Sequence, residues 1–202
     1  MKSEELIEAL FLADTKNHQI EIRRDDGIYR HIKVRSPGTI HYGFDIITWP
    51  GWLCYTGDMG SYTFQRLEDM FEFFRRKVPG ADPGHLEINT GYWGEKVQAE
   101  DRNGRVREFD ADKFRSRLKE ILTHRGADNA LLEAVQEEVL DAFSERDERE
   151  ARELADGFRF EGKVVFSDLW DYDFKGPSYH FVWCCYALAW TIREYDKQKA
   201  GA

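Results

Sequence analysis

Side chains able to do chemistry gather at a few places in this sequence, and the first is a loop. In Thr48-Trp49-Pro50-Gly51-Trp52-Leu53-Cys54-Tyr55-Thr56-Gly57-Asp58-Met59-Gly60-Ser61-Tyr62, two tryptophans bracket a Pro-Gly turn and an aspartate stands between two permissive residues. Such a loop can offer Asp58 to a proton, a metal or a basic partner, with Trp49 and Trp52 as an anchoring pair. The structural reading is preferred: Pro50-Gly51 makes a tight turn, the tryptophans belong to the core, and Asp58 caps or hydrogen-bonds its own loop. His31 and His41 fall near the ends of adjacent expected strands, and Asp45 shares strand parity with His41. Paired histidines across a sheet suit acid–base work on a phosphodiester, but the His-x-Ser or His-x-Thr pairs that such phosphoesterases use are absent, so ordinary surface or half-buried histidines are expected. His180 and Cys184 stand four apart on the last expected helix, with His85 and Cys54 as conceivable further ligands. Without a second closely spaced ligand pair, neither a metal nor a cofactor is expected. Gly-x-Ser-x-Gly, P-loop, His-Glu-x-x-His and Gly-x-Gly-x-x-Gly signatures are absent as well, which counts against an enzyme.

Charge is the second signal. The 202 residues hold 38 acids against 29 Lys and Arg, a net charge of -9. The chain as a whole therefore repels phosphate backbones, and direct nucleic-acid binding is disfavoured. Basic residues cluster at 16–35, six against three acids, and at 102–125, eight against four; solvated hairpin and helix faces account for both. Residues 133–156 hold ten acids against three arginines. As one helix from 128 to 155, about 42 Å long, this segment projects partly into solvent. Glu137, Asp141, Glu145 and Glu148 then share a face. Such a face can occupy a partner's cationic, phosphate-binding groove through long-range attraction. Glu145-Arg149 and Glu148-Arg152 pairs at i, i+4 give the plainer account of a solvated, self-paired helix.

The elements that must position these groups follow from hydrophobic period. A short helix spans 3–13. Strands Gln19–Arg23 and Ile28–Val34 flank Asp25-Asp26-Gly27, and further strands cover 39–49 and 52–56. A helix covers 67–77 and stops at Pro79-Gly80; Glu95–Glu100 and Arg105–Phe109 flank Asp101-Arg102-Asn103-Gly104, either as a second hairpin or with the first limb as a helical turn. Helices capped by Asp110 and by Asp128 or Asn129 come next, and Ser178 opens a last helix that is apolar on every side from Phe181 to Trp190. The fold class expected is α+β: an antiparallel sheet of about four or more strands packed by helices, one domain over 1–202, with an acidic helical hairpin at 111–156. A composition 42% hydrophobic and 14% aromatic excludes disorder. The longest apolar run is about half of the ~20 residues a membrane helix needs. The acid-rich start lacks the basic region of a signal peptide, and three cysteines with one vicinal pair form no disulfide framework. A cytoplasmic protein without a membrane partner is expected.

Two stretches carry a family resemblance. They are Phe44-Asp45-Ile46-Ile47-Thr48-Trp49-Pro50-Gly51 with Gly57-Asp58-Met59-Gly60-Ser61-Tyr62-Thr63-Phe64 and Asp69-Met70-Phe71-Glu72-Phe73-Phe74-Arg75, and His180-Phe181-Val182-Trp183-Cys184-Cys185-Tyr186-Ala187. Over residues ~40–115 and ~165–195 the chain resembles a family of uncharacterised accessory proteins carried by tailed bacteriophages and prophages; the 133–156 segment is not part of the likeness. The resemblance implies a setting, a phage gene expressed in the cytoplasm of a bacterial host cell, and no catalytic residue. Phage accessory proteins of this size often bind and disable a host factor, defence nucleases such as CRISPR effectors among them. The expected function is a phage-encoded, non-catalytic, anti-CRISPR-like binding protein whose acidic residues Glu137, Asp141, Glu145 and Glu148 cover a basic nucleic-acid site of a host protein. The alternative is a small hydrolase or nucleotide-processing enzyme whose pocket is built from His41, Trp49, Trp52 and Asp58, with Asp58 as base or metal ligand. The sequence leaves the oligomeric state open.

Overall fold

A computed structural model of the chain describes residues 3–75, 84–102 and 104–201. The expected helix stop at Pro79-Gly80 and the tip residue Asn103 lie outside the described residues. The protein is α+β and divides into two compact units, one of residues 107–176 and one of residues 2–106 with 177–202.

The larger unit is a six-stranded antiparallel meander in sequential order: β1 Gln19–Asp26, β2 Tyr29–Arg35, β3 Phe44–Trp49, β4 Trp52–Gly57, β5 Gly60–Gln65 and β6 Val97–Glu100. Alternation sets its register, with shifts between Ile22 and Arg24 in the β1–β2 pairing and between Thr63 and Phe64 in the β5–β6 pairing. Ile22, Ile32, Ile46, Tyr55 and Tyr62 form one row across five strands, and Arg30, Thr48, Leu53 and Phe64 form the next. These side chains face helices α1 Glu4–Asp14, α2 Met70–Phe74, α3 Thr90–Gly94 and α7 Tyr179–Ala200, which contribute Ile7, Phe11, Phe71, Phe74, Trp93, Phe181 and Trp183 to a single core. α7 is buried on most sides because strands and helices surround it, as its all-round apolar sequence requires.

The third strand begins five residues later than expected. Residues 39–43 form a loop in which Tyr42 adopts a positive φ of 54°. The Asp58 carboxylate accepts the Tyr42 N–H at 2.8 Å and His18 bonds the Tyr42 carbonyl at 3.1 Å, which together hold that conformation. β5 falls on residues to which the sequence assigned no element, and its Tyr62 and Phe64 are buried. α2 is shorter than the expected helix because Asp69 caps it, accepting the Phe71 N–H at 2.9 Å.

The smaller unit contains β7 Arg107–Phe109, α4 Ala111–His124, α5 Asn129–Val135, a π-helical turn Gln136–Leu140, α6 Glu148–Gly157, the hairpin β8 Arg159–Phe160 with β9 Lys163–Val164, a 3-10 turn Leu169–Asp171, and β10 Lys175–Pro177 paired with β7. Asp110 and Asp128 cap α4 and α5 as their sequence positions require. The expected continuous helix 128–155 is broken at 141–147. Phe143 turns inward against Phe114 at 5.3 Å between ring centroids, and Asp147 starts a new helix by accepting the Glu150 N–H. The break lets Ala151 and Ala155 reach the core formed with Leu118, Leu122 and Val139, whereas a straight helix would have carried this weakly apolar stretch into solvent. This unit has nineteen acids against twelve Lys and Arg, so it holds -7 of the chain's net -9.

Candidate functional site

The π-helical turn decides how the acids of the smaller unit are displayed. Val135, Val139 and Leu140 point into the core, which leaves Glu133, Glu137, Glu138 and Asp141 exposed on the outer side of α5 and the turn. Asp141 accepts an N–H from the Gln136 amide at 2.7 Å. None of the four acids has an ion-pair partner among the described residues. Their charge is therefore exposed and uncompensated at short range, which is what generates a long-range negative potential.

Glu145 and Glu148 differ. Glu145 lies in the loop and pairs with Arg115 at 3.2 Å. Glu148 opens α6 and accepts from Arg152 at 2.8 Å and 3.1 Å, with its side chain three-quarters buried. The four acids expected on one helical face thus lie on a π turn, at its C-cap, in a loop and on a second helix. The expected Glu145-Arg149 pair is not formed, since Arg149 bonds Glu153 at 2.7 Å; the Glu148-Arg152 pair is formed.

Arg152 is the buried pivot of this unit. Its guanidinium lies 4.6 Å from the Phe174 ring and donates to the carbonyls of Leu169 and Tyr172. Those bonds fix the 3-10 turn between them, and the turn presents Trp170 at 64% exposure. Asp168, at φ 60°, and Asp171 flank the indole, and Arg152 stands 5.0 Å from its ring. A rigid exposed tryptophan set among acids is a ready anchor for an interface. Trp170 is not legible as a site residue from sequence; its one signal is an indole between acids in Asp168-Leu169-Trp170-Asp171.

The residues of the alternative pocket fall at opposite ends of the β3–β4 pair: Asp58, bonded to the Tyr42 N–H, lies by the loop that carries His41, and Trp49 and Trp52 lie at the other end. Trp49 and Trp52 stack across the β3–β4 hairpin, with centroids 6.0 Å apart and planes 11° from parallel. Contrary to expectation they are half-buried and outside the core, because their strand parity puts them on the sheet face away from the helices. Pro50-Gly51 does make the tight turn, with Gly51 at φ 81°. Asp58 sits at the opposite end of β4, beyond a strand about 20 Å long. His41 is exposed in the 39–43 loop, next to Tyr42 and well away from the tryptophans. His31 pairs with Asp45 at 2.9 Å, and Arg35 reaches the same carboxylate at 3.5 Å. That makes His31 one member of a surface polar cluster with Asp45 and Arg35 on the open sheet face.

His180 and Cys184 also part company. Cys184 is buried and bonds the Met59 carbonyl at 3.6 Å, while His180 is exposed. Burial pushes the Cys184 and Cys185 thiols up, which keeps them protonated and poor as nucleophiles or ligands. No group of three or more His, Cys, Asp or Glu among the described residues is placed to hold a metal ion. No helix among them is long and apolar enough to cross a membrane. Comparison with protein-family models, curated proteins and solved structures finds no match for this chain.

Proposed function

We propose that the protein is a non-catalytic binding protein, phage-encoded, that inhibits a bacterial host factor by laying its acidic unit over a cationic nucleic-acid site; a defence nuclease complex is one target of that kind. The observation that carries the reading is the set Glu133, Glu137, Glu138 and Asp141, exposed and without ion-pair partners in a unit of net charge -7. Elsewhere in the unit arginines neutralise acids: Arg115, Arg117, Arg149 and Arg152 each hold at least one. Exposed, unscreened acids accelerate association with a basic partner and select against acidic ones. Trp170 supplies the apolar anchor that charge alone lacks. The phage setting rests on the sequence resemblance alone.

The test is capture from bacterial lysate with the tagged full chain, followed by a wash at low and then high salt. The wild type should retain a nucleic-acid-binding protein in near-equal amount and release it with salt. Reversing Glu133, Glu137, Glu138 and Asp141 to Lys should abolish that capture, and reversing exposed acids of the larger unit, such as Glu5 and Glu68, should leave most of it. Equal losses from both sets would remove the proposal.

A further inference from the structure

β1 and β2 pair with Gln19 opposite Arg35, so the residues just outside that pair, His18 and Ser36, face each other across the end of the ladder. The Ser36 hydroxyl lies 3.2 Å from His18 Nδ1, and His18 Nε2 lies 3.1 Å from the Tyr42 carbonyl. A carbonyl oxygen only accepts, so Nε2 carries a proton. Burial pushes the His18 pKa down and outweighs the Tyr42 carbonyl and the Asp14 charge, which raise it, so the ring is neutral at pH 7. A neutral imidazole has one N–H; Nδ1 is therefore bare and accepts the Ser36 proton. That is the arrangement of an activated hydroxyl: a nucleophile on a base, and the base oriented by a third group.

Three features set this pair apart from a casual Ser–His contact. The ring is 8% exposed, and its backbone N–H donates to the Thr15 carbonyl at 2.8 Å, so the base is fixed in place. The carbonyl that orients it belongs to Tyr42, whose φ of 54° is strained for a residue with a side chain and is held by the Asp58 carboxylate on its N–H; strain of this kind gathers at functional sites. Ser36 also lines an open cavity of about 690 Å³ with Lys16, Asn17 and Thr39, and none of its described lining residues is acidic. Lys16 and Asn17 are exposed and offer N–H donors to a developing oxyanion. The cavity size is that of a small-molecule site.

We propose that Ser36 is the nucleophile, and His18 its general base, of a site that hydrolyses small carboxylic esters. Ser36 Oγ attacks the ester carbonyl carbon while its proton passes to His18 Nδ1, and the Nε2–H bond to Tyr42 and the Asp14 charge stabilise the imidazolium. The carbon–oxygen bond to the alcohol then breaks, and the alcohol leaves with the proton from Nδ1. Water attacks the acyl group on Ser36, gives its proton to Nδ1, and the acid departs as that proton returns to Oγ. Inhibition by the acidic unit needs no chemistry, and this site lies in the larger unit, so each proposal can fail without the other.

The test is reaction of the full chain with a biotinylated ethyl fluorophosphonate near neutral pH, with the labelled serine located by peptide mass spectrometry. Ser36 should take the label about 100-fold faster than the exposed Ser116 and Ser144, because a positioned base contributes about 10²–10⁴-fold. p-Nitrophenyl acetate should be hydrolysed, with acetyl found on Ser36 after an acid quench. Ser36→Ala should lose label and hydrolysis while its melting temperature holds, since the side chain is small and borders the cavity. His18→Gln should slow the labelling about 100-fold. Because His18 is buried, the wild-type ring gives a check that needs no variant: its 15N NMR signals should show a protonated Nε2 and a bare Nδ1. Equal labelling of the three serines, hydrolysis that survives in Ser36→Ala, or the opposite tautomer would overturn the proposal.

Discussion

Replacing Asp69 should strongly destabilise the larger unit, because it strands a buried cation. The Arg30 guanidinium donates to both Asp69 oxygens, at 2.8 Å and 2.9 Å, and the two side chains are 8% and 24% exposed. Arg30 also lies 4.5 Å over the Phe71 ring and donates to the Tyr195 hydroxyl at 3.4 Å, which in turn donates to Asp25 at 2.7 Å. Removing one partner of a buried ion pair costs about 3–5 kcal/mol; with Asp69 a quarter exposed, about 3 applies. Loss of the α2 cap adds about 1 kcal/mol. Asp69→Ala should therefore cost about 4 kcal/mol, and Asp69→Asn, which keeps the cap and one hydrogen bond, about half as much. Urea unfolding at neutral pH measures both. Adding Arg30→Met to Asp69→Ala should recover a large part of the loss, since the stranded charge is gone. The pH dependence has a definite sign. Burial, the largest single influence, would raise the Asp69 pKa, but the Arg30 and Phe71 N–H hydrogen bonds and the charges of Arg30 and Arg75 together outweigh it and hold the carboxyl below its ordinary range. The stabilisation is then complete above the ordinary carboxylate pKa of about 3.9 and is lost as pH falls through the lower folded value. The gap between wild type and Asp69→Asn should close in acid. A cost below about 1 kcal/mol for Asp69→Ala, or a gap that persists at the acid end, would refute the argument.

Two further outcomes bear on the smaller unit. Arg152→Leu should destabilise that unit by about 3 kcal/mol and release the Leu169–Asp171 turn, because Glu148 and two backbone carbonyls lose a buried donor; differential scanning calorimetry and Trp170 fluorescence would both register it. Trp170→Ala should leave the melting temperature nearly unchanged, given its exposure, yet weaken binding of the captured host protein about thirtyfold, the usual effect of losing an anchor worth about 2 kcal/mol.

Much of the frame was legible because it is local. Asp26-Gly27 and Pro50-Gly51 announce their hairpins, Asp110, Asp128 and Ser178 announce their helices, and the uniformly apolar Phe181–Trp190 run announces a helix surrounded by core. β5 was hidden because Gly60-Ser61-Tyr62-Thr63-Phe64 carries turn residues and strand alternation at once, and only pairing with β4 and β6 decides between them. The break at 141–147 was hidden for a related reason. Within a run of charges, the cap Asp147 looks like any other solvated acid, and the inward turn of Phe143 depends on Phe114 from another helix. Site geometry was the least legible, since its contacts join distant residues: Arg30 with Asp69, Arg115 with Glu145, Arg152 with Tyr172, and His18 with Ser36. Residue types mark such groups as able to act, but only tertiary structure says which acids are already neutralised. That distinction separates Glu137 and Asp141 from Glu145 and Glu148.

On the proposed function, the acidic unit and a nucleic acid compete for one basic surface. The most direct measurement is the affinity of the full chain for the purified captured protein, at several salt concentrations, with and without that protein's own nucleic acid bound. Affinity should fall steeply with salt and be abolished by the nucleic acid. A stable ternary complex, or affinity indifferent to salt, would contradict the proposed function.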